Sequence, residues 1–373
     1  MRVGVTGANG FLGWHVRCAL KARGGVDVIP IGRETLSDRN QLDVALRDVD
    51  VVLHLAGANR ADPMSLRADN ESMARLLTAS LDRLGLRPLI EYANSTQSGN
   101  GTAYGDGKAA AANVLASWGQ AAGVPLLDIR LPNLFGEHGR PHYNSVVATF
   151  CHELASGRTP AVHVDRDVDL LHVQDAIDRM LNLLDVKHCG VVATHPRSMM
   201  VSGILDLLRG FSQLYATGEI PDIVDPVDRA LFNTYRSFCF PRHFPVFPRV
   251  HSDARGSLVE CVRGHGSETQ VFCSSTRPNA VRGNHFHLRK IERFLVLHGH
   301  AEITLRRLFD DEVVRFTVSG ELPAIVDMPT MWTHAIRNTG SGDLTTLFWA
   351  DELLDVTDAD THPELVDPAE NSA

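Results

Sequence analysis

Residues 2–13 read RVGVTGANGFLG, and this stretch decides the fold of the first half of the chain. Gly7, Gly10 and Gly13 form the pattern G-x-x-G-x-x-G directly after an apolar run and directly before the helical run FLGWHVRCALKA. Glycines at this spacing allow a tight turn and a close backbone approach, which places a pyrophosphate at a helix N-terminus. Because strand, turn and helix follow in that order, the stretch predicts a dinucleotide-binding α/β sheet.

The rest of the first half repeats the alternation of strand and helix. Five compact apolar runs have strand length: RVGV, DVIPI, DVVLHLA, LIEYAN and PLLDIRL. Between them lie segments with apolar spacing near three and four and a glycine at the end, MARLLTASLDRLG and KAAAANVLASWGQAAG. Alternation of this kind predicts a parallel, doubly wound, Rossmann-like sheet.

The second half has a different texture. Pro241, Pro245 and Pro248 interrupt regular structure in FCFPRHFPVFPRV, as in a linker or a domain edge. Short β-rich segments then recur between turn residues: SLVECV, TQVFCSS, RFLVLHG, AEITLRRL, EVVRFTV, AIVDMP and LTTLFWA. This spacing predicts an all-β barrel or sandwich. We therefore expect two domains, residues 1–243 and residues 244–373.

Composition excludes some classes of function. The 373 residues carry a net charge of −9, which argues against a surface for DNA or RNA because such a surface needs clustered Lys and Arg. The N-terminus lacks the pattern of a signal peptide, and no apolar run approaches the ~20 residues that span a bilayer. We expect a cytoplasmic protein.

The six cysteines are scattered and include no C-x-x-C. In a chain of this length such cysteines are more typical of buried thiols than of a disulfide framework. They are Cys18, Cys151, Cys189, Cys239, Cys261 and Cys273.

The end of the second predicted strand bears on the choice of nicotinamide cofactor. A site for NAD usually places a carboxylate there, to accept bonds from the ribose 2′-hydroxyl. Here Arg33 stands in IPIGRETL, and a guanidinium favours a 2′-phosphate. Glu34 lies beside it, and a solvated loop arginine is the alternative explanation. We expect NADPH rather than NADH.

Tyr104 and Lys108 form the pattern Y-x-x-x-K in YGDGK, which places both side chains on one face of a helix. A free tyrosine has a pKa near ~10, and a neighbouring ammonium is expected to lower it by favouring the phenolate. The pair can therefore exchange a proton near neutral pH while the lysine also holds the cofactor ribose. Its position after the glycine loop, HLAG (residues 54–57) and NST (residues 94–96) strengthens this interpretation.

The first ~240 residues resemble an extended short-chain dehydrogenase/reductase. The matching pieces are TGANGFLG, HLAG, NST, YGDGK and RLPNLFG (residues 130–136). The resemblance implies a Ser–Tyr–Lys catalytic set, with Ser95 orienting the substrate oxygen and Thr96 as the alternative. It also implies a nucleotide-sugar substrate with Asn133 near its diphosphate. The cofactor contacts that it implies are Gly7, Asn9, Gly10, Phe11, Leu12, Gly13, Arg33, Leu55, Ala56 and Lys108.

Two departures from that family matter. Sugar 4,6-dehydratases carry Asp-Glu after the catalytic hydroxyl, whereas Gln97 and Ser98 follow Thr96 here, which disfavours dehydration. Gly107 precedes the lysine, although a glycine inside a helix costs ~1 kcal/mol relative to alanine.

The segment GNHFHLRKIERFLVLHGH, residues 283–300, predicts a metal site. His285 and His287 are two apart, so on a strand both rings project from one face. Glu292 and the later His334 would complete a set of three nitrogens and one oxygen, which suits Zn, Mn, Fe or Ni.

The order H-x-H-x4-E with a distant histidine resembles a cupin barrel. HFHLRKIERFLVLHG resembles its first motif and MPTMWTHAIRN (residues 328–338) its second. The second motif departs from the usual P-x-G because Met331 replaces the glycine. Since methionine is strained at positive φ, we expect the loop before His334 to have a different shape. His298 and His300 are not expected to be ligands, and should lie behind the ligands or in solvent.

Together the two halves resemble the CapF-type enzymes of bacterial capsular polysaccharide synthesis. The segments on which this resemblance rests are PHYNSVVATFCHELA (residues 141–155), DARGSLVE (residues 253–260), RGNHFH and DMPTMWTH. The resemblance implies that the cupin epimerises C3 of a UDP-2-acetamido-2,6-dideoxy-4-keto-hexose. The reductase would then reduce the C4 ketone with NADPH to a UDP-N-acetyl-6-deoxy-talosamine, towards N-acetyl-fucosamine. It also implies a homodimer and a divalent metal, with zinc as the expected ion.

Two alternatives stand beside this interpretation. The cupin could be a structural or sugar-binding module of a reductase, its metal holding only the fold. It could also be a dioxygenase fused to a degenerate reductase, but the intact Tyr104 and Lys108 pair argues against that. Lys290, His298 and a metal-bound water are all candidates for moving the C3 proton.

Overall fold

A computed structural model of the chain describes residues 1–60, 62–184, 190–266 and 268–367. The helices in these residues are α1 (Phe11–Arg23), α2 (Arg33–Ser37), α3 (Arg39–Ala45), α4 (Pro63–Leu84), α5 (Ala103–Ala122), α6 (Val146–Ala155), α7 (Val173–Leu183), α8 (Val201–Tyr215) and α9 (Pro226–Cys239). The strands of the first part are β1 (Arg2–Thr6), β2 (Asp27–Ile31), β3 (Val51–His54), β4 (Leu89–Ser95), β5 (Leu126–Leu131), β6 (Asn133–Phe135), β7 (Asp167–His172), β8 (Gly190–Ala193), β9 (Arg197–Met200) and β10 (Ile220–Asp222). Those of the last part are β11 (Val250–Asp253), β12 (Gly256–Val259), β13 (Gly264–Gly266), β14 (Gln270–Thr276), β15 (Val281–Phe286), β16 (Glu292–His298), β17 (His300–Arg307), β18 (Val313–Ser319), β19 (Ile325–Met328), β20 (Trp332–Asn338), β21 (Leu344–Ala350) and β22 (His362–Pro363).

The chain forms two compact units. Unit 1 comprises residues 1–135 and 167–199, and unit 2 comprises residues 136–166 and 200–373. Helices α6, α8 and α9 therefore share unit 2 with the late strands. The boundary expected between residues 243 and 244 stays a prediction.

Unit 1 contains a six-stranded parallel sheet in the order β2-β1-β3-β4-β5-β8. The order reverses between β1 and β3, and ligands of such sheets bind at the carboxyl ends of the strands beside that switch point. The predicted parallel sheet is confirmed.

Burial explains why the strands of unit 1 read as continuous apolar runs. All four residues of β3 are buried, because one face packs on α4 and α5 and the other on α1 and α7. The two long helices end at the predicted glycines: Gly85 after α4 and Gly123 after α5 both adopt the left-handed conformation.

The late strands of unit 2 form two antiparallel sheets, ordered β14-β21-β16-β19 and β18-β17-β20-β15-β22. Residues from both sheets share one core, including Phe294, Ile303, Val326, Ile336 and Phe348. The predicted β architecture of this part is confirmed. Its closure into a cupin barrel stays a prediction.

The expectation of buried cysteines is correct for three residues and wrong for one. Cys18, Cys151 and Cys239 are buried free thiols, and Cys261 is half-buried. Cys273 is exposed because β14 is an edge strand whose outer residues face solvent. Cys189 lies outside the described residues. No helix of the described ranges is long and apolar enough to cross a bilayer.

Candidate active site and candidate metal centre

The glycine loop lies at the switch point of the parallel sheet. Gly7 has a φ of +68°, and a Cβ there would lie 2.8 Å from the backbone nitrogen of Ala56. A Cβ on Gly13 would lie 2.2 Å from the carbonyl oxygen of Gly7. Only glycine fits either position, and the contact brings the turn after β1 against the segment Leu55–Ala56 that follows β3. The structure thus brings these predicted cofactor residues together.

The N-terminus of α1 is open to an anion. Gly10 is the N-cap residue, no side chain caps the helix, and its first turn holds no acidic residue. Phe11 and Leu12 are the first residues of this turn, and Asn9 is exposed on the loop before it. Backbone N–H groups at such an end, with the helix dipole, bind phosphate.

Arg33 is the exposed first residue of α2, at the carboxyl end of β2. The preceding Gly32 lies beside the glycine loop, because a Cβ on Gly32 would be 3.4 Å from Nδ2 of Asn9. Arg33 is therefore next to the predicted cofactor loop, and its role in binding a 2′-phosphate stays a prediction.

The structure brings Ser95, Tyr104 and Lys108 together at the carboxyl end of β4. Ser95 is the buried last residue of that strand, and Tyr104 in the first turn of α5 is near enough for the Ser95 side chain to act on the pKa of its phenol. Thr96 is exposed on the turn that follows. The geometry therefore favours Ser95 over Thr96 as the partner of the tyrosine.

The expected lowering of the Tyr104 pKa is not found. Burial raises the pKa of Tyr104, and the nearby Ser95 side chain only partly opposes this. The reason lies in the position of the lysine, whose Nζ donates to the carbonyl oxygen of Ala93 at 2.7 Å. Burial lowers the pKa of Lys108 to about 8, while the Asp128 carboxylate acts in the other direction. Tyr104 is consequently a protonated phenol at neutral pH.

Gly107 has a packing role that the sequence pattern does not reveal. A Cβ on Gly107 would lie 3.0 Å from the carbonyl oxygen of Leu66 and 3.2 Å from Cα of Arg67, both on α4. The glycine thus allows α4 and α5 to approach closely, which offsets its poor helix propensity.

Asn133 is exposed at the start of β6, where its Nδ2 donates to the carbonyl oxygen of Asp169 at 3.1 Å. This bond fixes the side chain at the edge of the small sheet β6-β7-β9. Its predicted contact with a substrate diphosphate stays a prediction.

In unit 2 the four predicted metal ligands converge. The ligand atoms of His285, His287, Glu292 and His334 lie within 4.8 Å of one another. His285 pairs directly with His334 across β15 and β20, whereas Glu292 begins β16 in the other sheet. Nε2 of His287, His334 and His285 lies 3.1, 3.4 and 3.8 Å from Oε2 of Glu292.

The hydrogen bonds of these rings fit a cation. Nδ1 of His287 donates to the carbonyl oxygen of Asp360, and Nδ1 of His334 to that of Trp332 at 3.3 Å. In the neutral form of these two rings, Nε2 carries the lone pair. The Nε2 atoms of His285, His287 and His334 are all buried and lack a hydrogen-bond partner within the described chain. Burial lowers the pKa of His334 to about 4, which keeps its ring neutral. Lone pairs directed at a carboxylate oxygen repel it unless a cation lies among them, and this donor set suits a divalent transition metal.

A segment near the C-terminus orients the cluster, and the sequence offered no signal for it. The Asp360 carboxylate accepts the backbone N–H groups of Leu288, Arg289 and Lys290 at 2.8–2.9 Å. Although burial opposes ionisation, these bonds and His362 hold the pKa of Asp360 at about 2. The loop between β15 and β16 is therefore fixed beside the ligands.

The other residues considered at this site are placed differently. Nζ of Lys290 lies 3.7 Å from Oε1 of Glu292 and donates to Thr361 at 3.0 Å. His298 is the exposed last residue of β16, six residues from Glu292, which is roughly 20 Å along a strand, and His300 is the exposed first residue of β17. Lys290 is thus beside the cluster and the two histidines are not.

The loop before His334 corrects one expectation. Met331 adopts a φ of 60°, the conformation that a glycine would favour, so methionine takes the positive φ that was expected to exclude it. The strain is offset because the side chain is fully buried and the backbone N–H of Met331 donates to the carbonyl oxygen of His287 at 2.7 Å.

A buried network braces the strand that begins with Glu292. Arg293 makes a bidentate pair with Asp327 at 2.6 and 2.9 Å, and the hydroxyl of Tyr215 donates to the same carboxylate at 2.9 Å. Arg236 donates to the Tyr215 oxygen at 3.1 Å. The network joins α8 and α9 to β16 and β19, so these helices are part of the framework of the cluster.

Comparison with known proteins agrees with this two-part construction. Residues 3–192 match the NAD dependent epimerase/dehydratase family, and residues 251–362 match the polysaccharide biosynthesis C-terminal domain. The structure of RMD from Pseudomonas aeruginosa complexed with NADPH matches 57% of this chain and 82% of its own, with a TM-score of 0.51. At 22% identity this likeness shows the fold alone.

Two further relatives match nearly the whole chain. The sequence is 32% identical to a UDP-2-acetamido-2,6-beta-L-arabino-hexul-4-ose reductase of Pseudomonas aeruginosa, over 97% of this chain and 98% of that one. A crystal structure of the capsular polysaccharide assembling protein CapF from Staphylococcus aureus has a TM-score of 0.62 at 28% identity, over 98% of this chain and 100% of that one. The chain therefore belongs to the NAD-dependent epimerase/dehydratase family and is, over both of its parts, a CapF-type protein.

Proposed function

We propose that this protein is a bifunctional nucleotide-sugar enzyme. The His/Glu cluster epimerises C3 of a UDP-2-acetamido-2,6-dideoxy-4-keto-hexose, and the Ser95 site reduces the C4 ketone with NADPH. The product is a UDP-N-acetyl-6-deoxy-talosamine. The substrate is inferred from the reductase relative and the CapF likeness, and the same likeness supports a homodimer.

The reductase site supplies a proton and an orienting hydrogen bond. Because burial keeps Tyr104 protonated, its hydroxyl can donate a proton to the ketone oxygen as that oxygen gains charge. Ser95, at the buried end of β4 near Tyr104, can donate its one hydroxyl proton to the ketone oxygen, which fixes the substrate for transfer. Bound NADPH supplies the hydride to C4.

The His/Glu cluster acts on the same ketone before it is reduced. A 4-ketone acidifies the proton on C3, so removing that proton gives an enolate whose oxygen needs stabilisation. A divalent cation held by His285, His287, Glu292 and His334, for which we propose zinc, supplies that stabilisation as a Lewis acid. Lys290 lies nearest to the cluster among the residues proposed to move the proton.

The observation that carries this proposal is the convergence on Glu292 of three buried Nε2 atoms that have no hydrogen-bond partner within the described chain. The fixation of His287 by the Asp360 segment supports an alternative, in which the metal only holds the fold of a reductase. The two functions differ in whether C3 exchanges its proton.

The test uses the full-length protein in D2O with a UDP-4-keto-6-deoxy-2-acetamido sugar. We expect NADPH oxidation, deuterium at C3, and loss of the deuterium alone after chelation, with recovery on adding Zn²⁺. Tyr104→Phe should reduce NADPH oxidation roughly 10²–10⁴-fold and leave the exchange intact. Absence of deuterium from the metal-loaded enzyme would establish the structural alternative, and wild-type oxidation by the variant would refute the role of Tyr104.

A further inference from the structure

Tyr92 contacts both ends of Lys108. This tyrosine is fully buried on β4, three residues before Ser95. Nζ of Lys108 lies 4.9 Å from the centroid of its ring, and its hydroxyl donates a long bond to the Lys108 carbonyl oxygen at 3.4 Å. The 2.7 Å bond to the Ala93 carbonyl oxygen holds the ammonium from another direction. The ring therefore forms one wall of the site in which the ammonium is held.

A second ring supports the first. His54 stacks on Tyr92 with centroids 5.6 Å apart and an angle of 26° between the planes. The Thr6 oxygen accepts the N–H groups of Leu55 and Ala56 at 3.1 and 3.2 Å, so its own proton is directed to Nδ1 of His54 at 2.9 Å. Nδ1 is then an acceptor, and burial lowers the pKa of His54 to about 3. A neutral histidine supports the tyrosine without repelling the lysine.

We propose that Tyr92 is a positioning residue whose π face holds the Lys108 ammonium in place and in its charged form. The inference rests on the proposed reductase function, in which that ammonium serves the cofactor. The negative face of an aromatic ring attracts a cation, most strongly where water is excluded. Since Lys108 is buried, loss of the ring would favour the neutral amine.

The other groups around Lys108 leave the Tyr92 ring an important part in stabilising the charge of the ammonium. Asp128 on β5 favours the ammonium, but its carboxylate is paired with Arg130 at 2.9 Å. Tyr104 on α5 is a neutral phenol, and His54 on β3 is neutral. The amide oxygen of Asn70, on α4, also lies near the ammonium. A Cβ placed on Gly57 would be 3.2 Å from that oxygen and 3.1 Å from Nζ of Lys108. Only Asp128 among these groups carries a compensating charge.

The direct test is the titration of Lys108 in the full-length protein without cofactor. The chain has only four lysines, Lys21, Lys108, Lys187 and Lys290, so protein labelled with ¹³C at lysine Cε gives four resonances. We expect Tyr92→Leu to lower the Lys108 pKa by roughly 0.4–1.5 units, because a cation–π contact contributes about 0.5–2 kcal/mol and one unit is about 1.4 kcal/mol. Tyr92→Phe keeps the ring and should retain the wild-type titration.

A graded series guards against misfolding of the leucine variant. Replacing Tyr92 with phenylalanines that carry increasing numbers of ring fluorines keeps the shape of the ring while weakening its negative face. The pKa of Lys108 should therefore fall stepwise along the series. Trp118→Leu is a matched control. Trp118 lies on α5, the helix that carries Lys108, but its ring contacts Arg87 away from the active site. The substitution should lower the melting temperature without moving the Lys108 resonance. An unchanged pKa across the fluorinated series would overturn the proposal.

Activity separates this inference from the proposed function. If the wild-type enzyme reduces no UDP-4-keto sugar, the proposed function fails, yet the titration still reports on Tyr92. If the enzyme is active, the alkaline limb of kcat should move to lower pH in Tyr92→Leu and stay in Tyr92→Phe. An alkaline limb that does not follow the Lys108 pKa would refute the link between Tyr92 and catalysis.

Discussion

The two candidate sites are built on sheets of opposite kind. In unit 1 the glycine loop follows β1, the segment Leu55–Ala56 follows β3, and Ser95 ends β4. The carboxyl ends of these strands meet at one edge of a parallel sheet. In unit 2 the ligands come from two antiparallel sheets and are oriented by a segment about 70 residues further along the chain. Parallel topology assembles a site from strand order alone, whereas the cluster requires the correct register of distant strands.

The units also differ in how they accommodate a buried carboxylate. Asp327 in unit 2 is paired with Arg293 and bonded to Tyr215. Glu91 on β4 in unit 1 is fully buried, and neither of its carboxyl oxygens has a hydrogen-bond partner within the described part of the chain. Fixed charges thus brace the strands that carry the cluster in unit 2. The parallel sheet of unit 1 instead contains a buried carboxyl group without such a partner.

Removing one ligand should give the largest effect, because the cluster has no redundancy. We expect His334→Ala to lower C3 exchange by roughly 10³-fold, since Lewis-acid stabilisation contributes several kcal/mol. Metal content after dialysis should fall in parallel. His298→Ala, at the far end of the strand that begins with Glu292, is the control and should retain both. Equal losses in the two variants would contradict the ligand assignment.

Breaking the brace should destabilise unit 2. Asp327→Asn leaves the buried Arg293 guanidinium without its charge partner, and such a loss costs about 3–5 kcal/mol. Scanning calorimetry should show a lower melting temperature. Asp253→Asn removes an ion pair of similar geometry with Arg255 on the surface and should leave the melting temperature unchanged. A small effect at Asp327 would show that the network is not required for register.

The unpaired acid of unit 1 should appear as a pH dependence of stability. Burial raises the pKa of Glu91 to about 8, so the unfolded chain releases the proton from about pH 4.5 and the folded chain only near pH 8. Stability should therefore fall as pH rises through this window. Glu91→Gln removes this dependence, and its advantage should grow from pH 5 to pH 8 by roughly 2–5 kcal/mol. Urea unfolding at both pH values measures it, with Glu312→Gln at an exposed position as a control that should show no such growth.

The smallest effect concerns two glycines in helices. Gly107→Ala gains about 1 kcal/mol in helix propensity but places Cβ 3.0 Å from the carbonyl oxygen of Leu66, so we expect a slight net destabilisation. Gly210→Ala on α8 meets no atom within 4 Å and should stabilise by about 0.5–1 kcal/mol. Chemical denaturation of both variants checks the opposite signs. Stabilisation by Gly107→Ala would show that the close packing of α4 and α5 does not require a glycine at this position.

The amino-acid sequence by itself determined most of the fold and both candidate sites. Glycine spacing after an apolar run predicts the loop, and the spacings of Tyr104 with Lys108 and of His285 with His287 place each pair on one face. These relations are local, so helix and strand periodicity suffices to predict them. The sequence also indicates that His334 completes the cluster, although it lies 42 residues beyond Glu292.

Only the tertiary structure decided the surroundings of these residues. It placed Tyr92 and His54 against Lys108, raised the pKa of Tyr104 rather than lowering it, and held Met331 at positive φ. It also brought Asp360 to the loop that carries the ligands. Burial and long-range contacts determine these properties, and neither has a period or a spacing that a linear pattern can show.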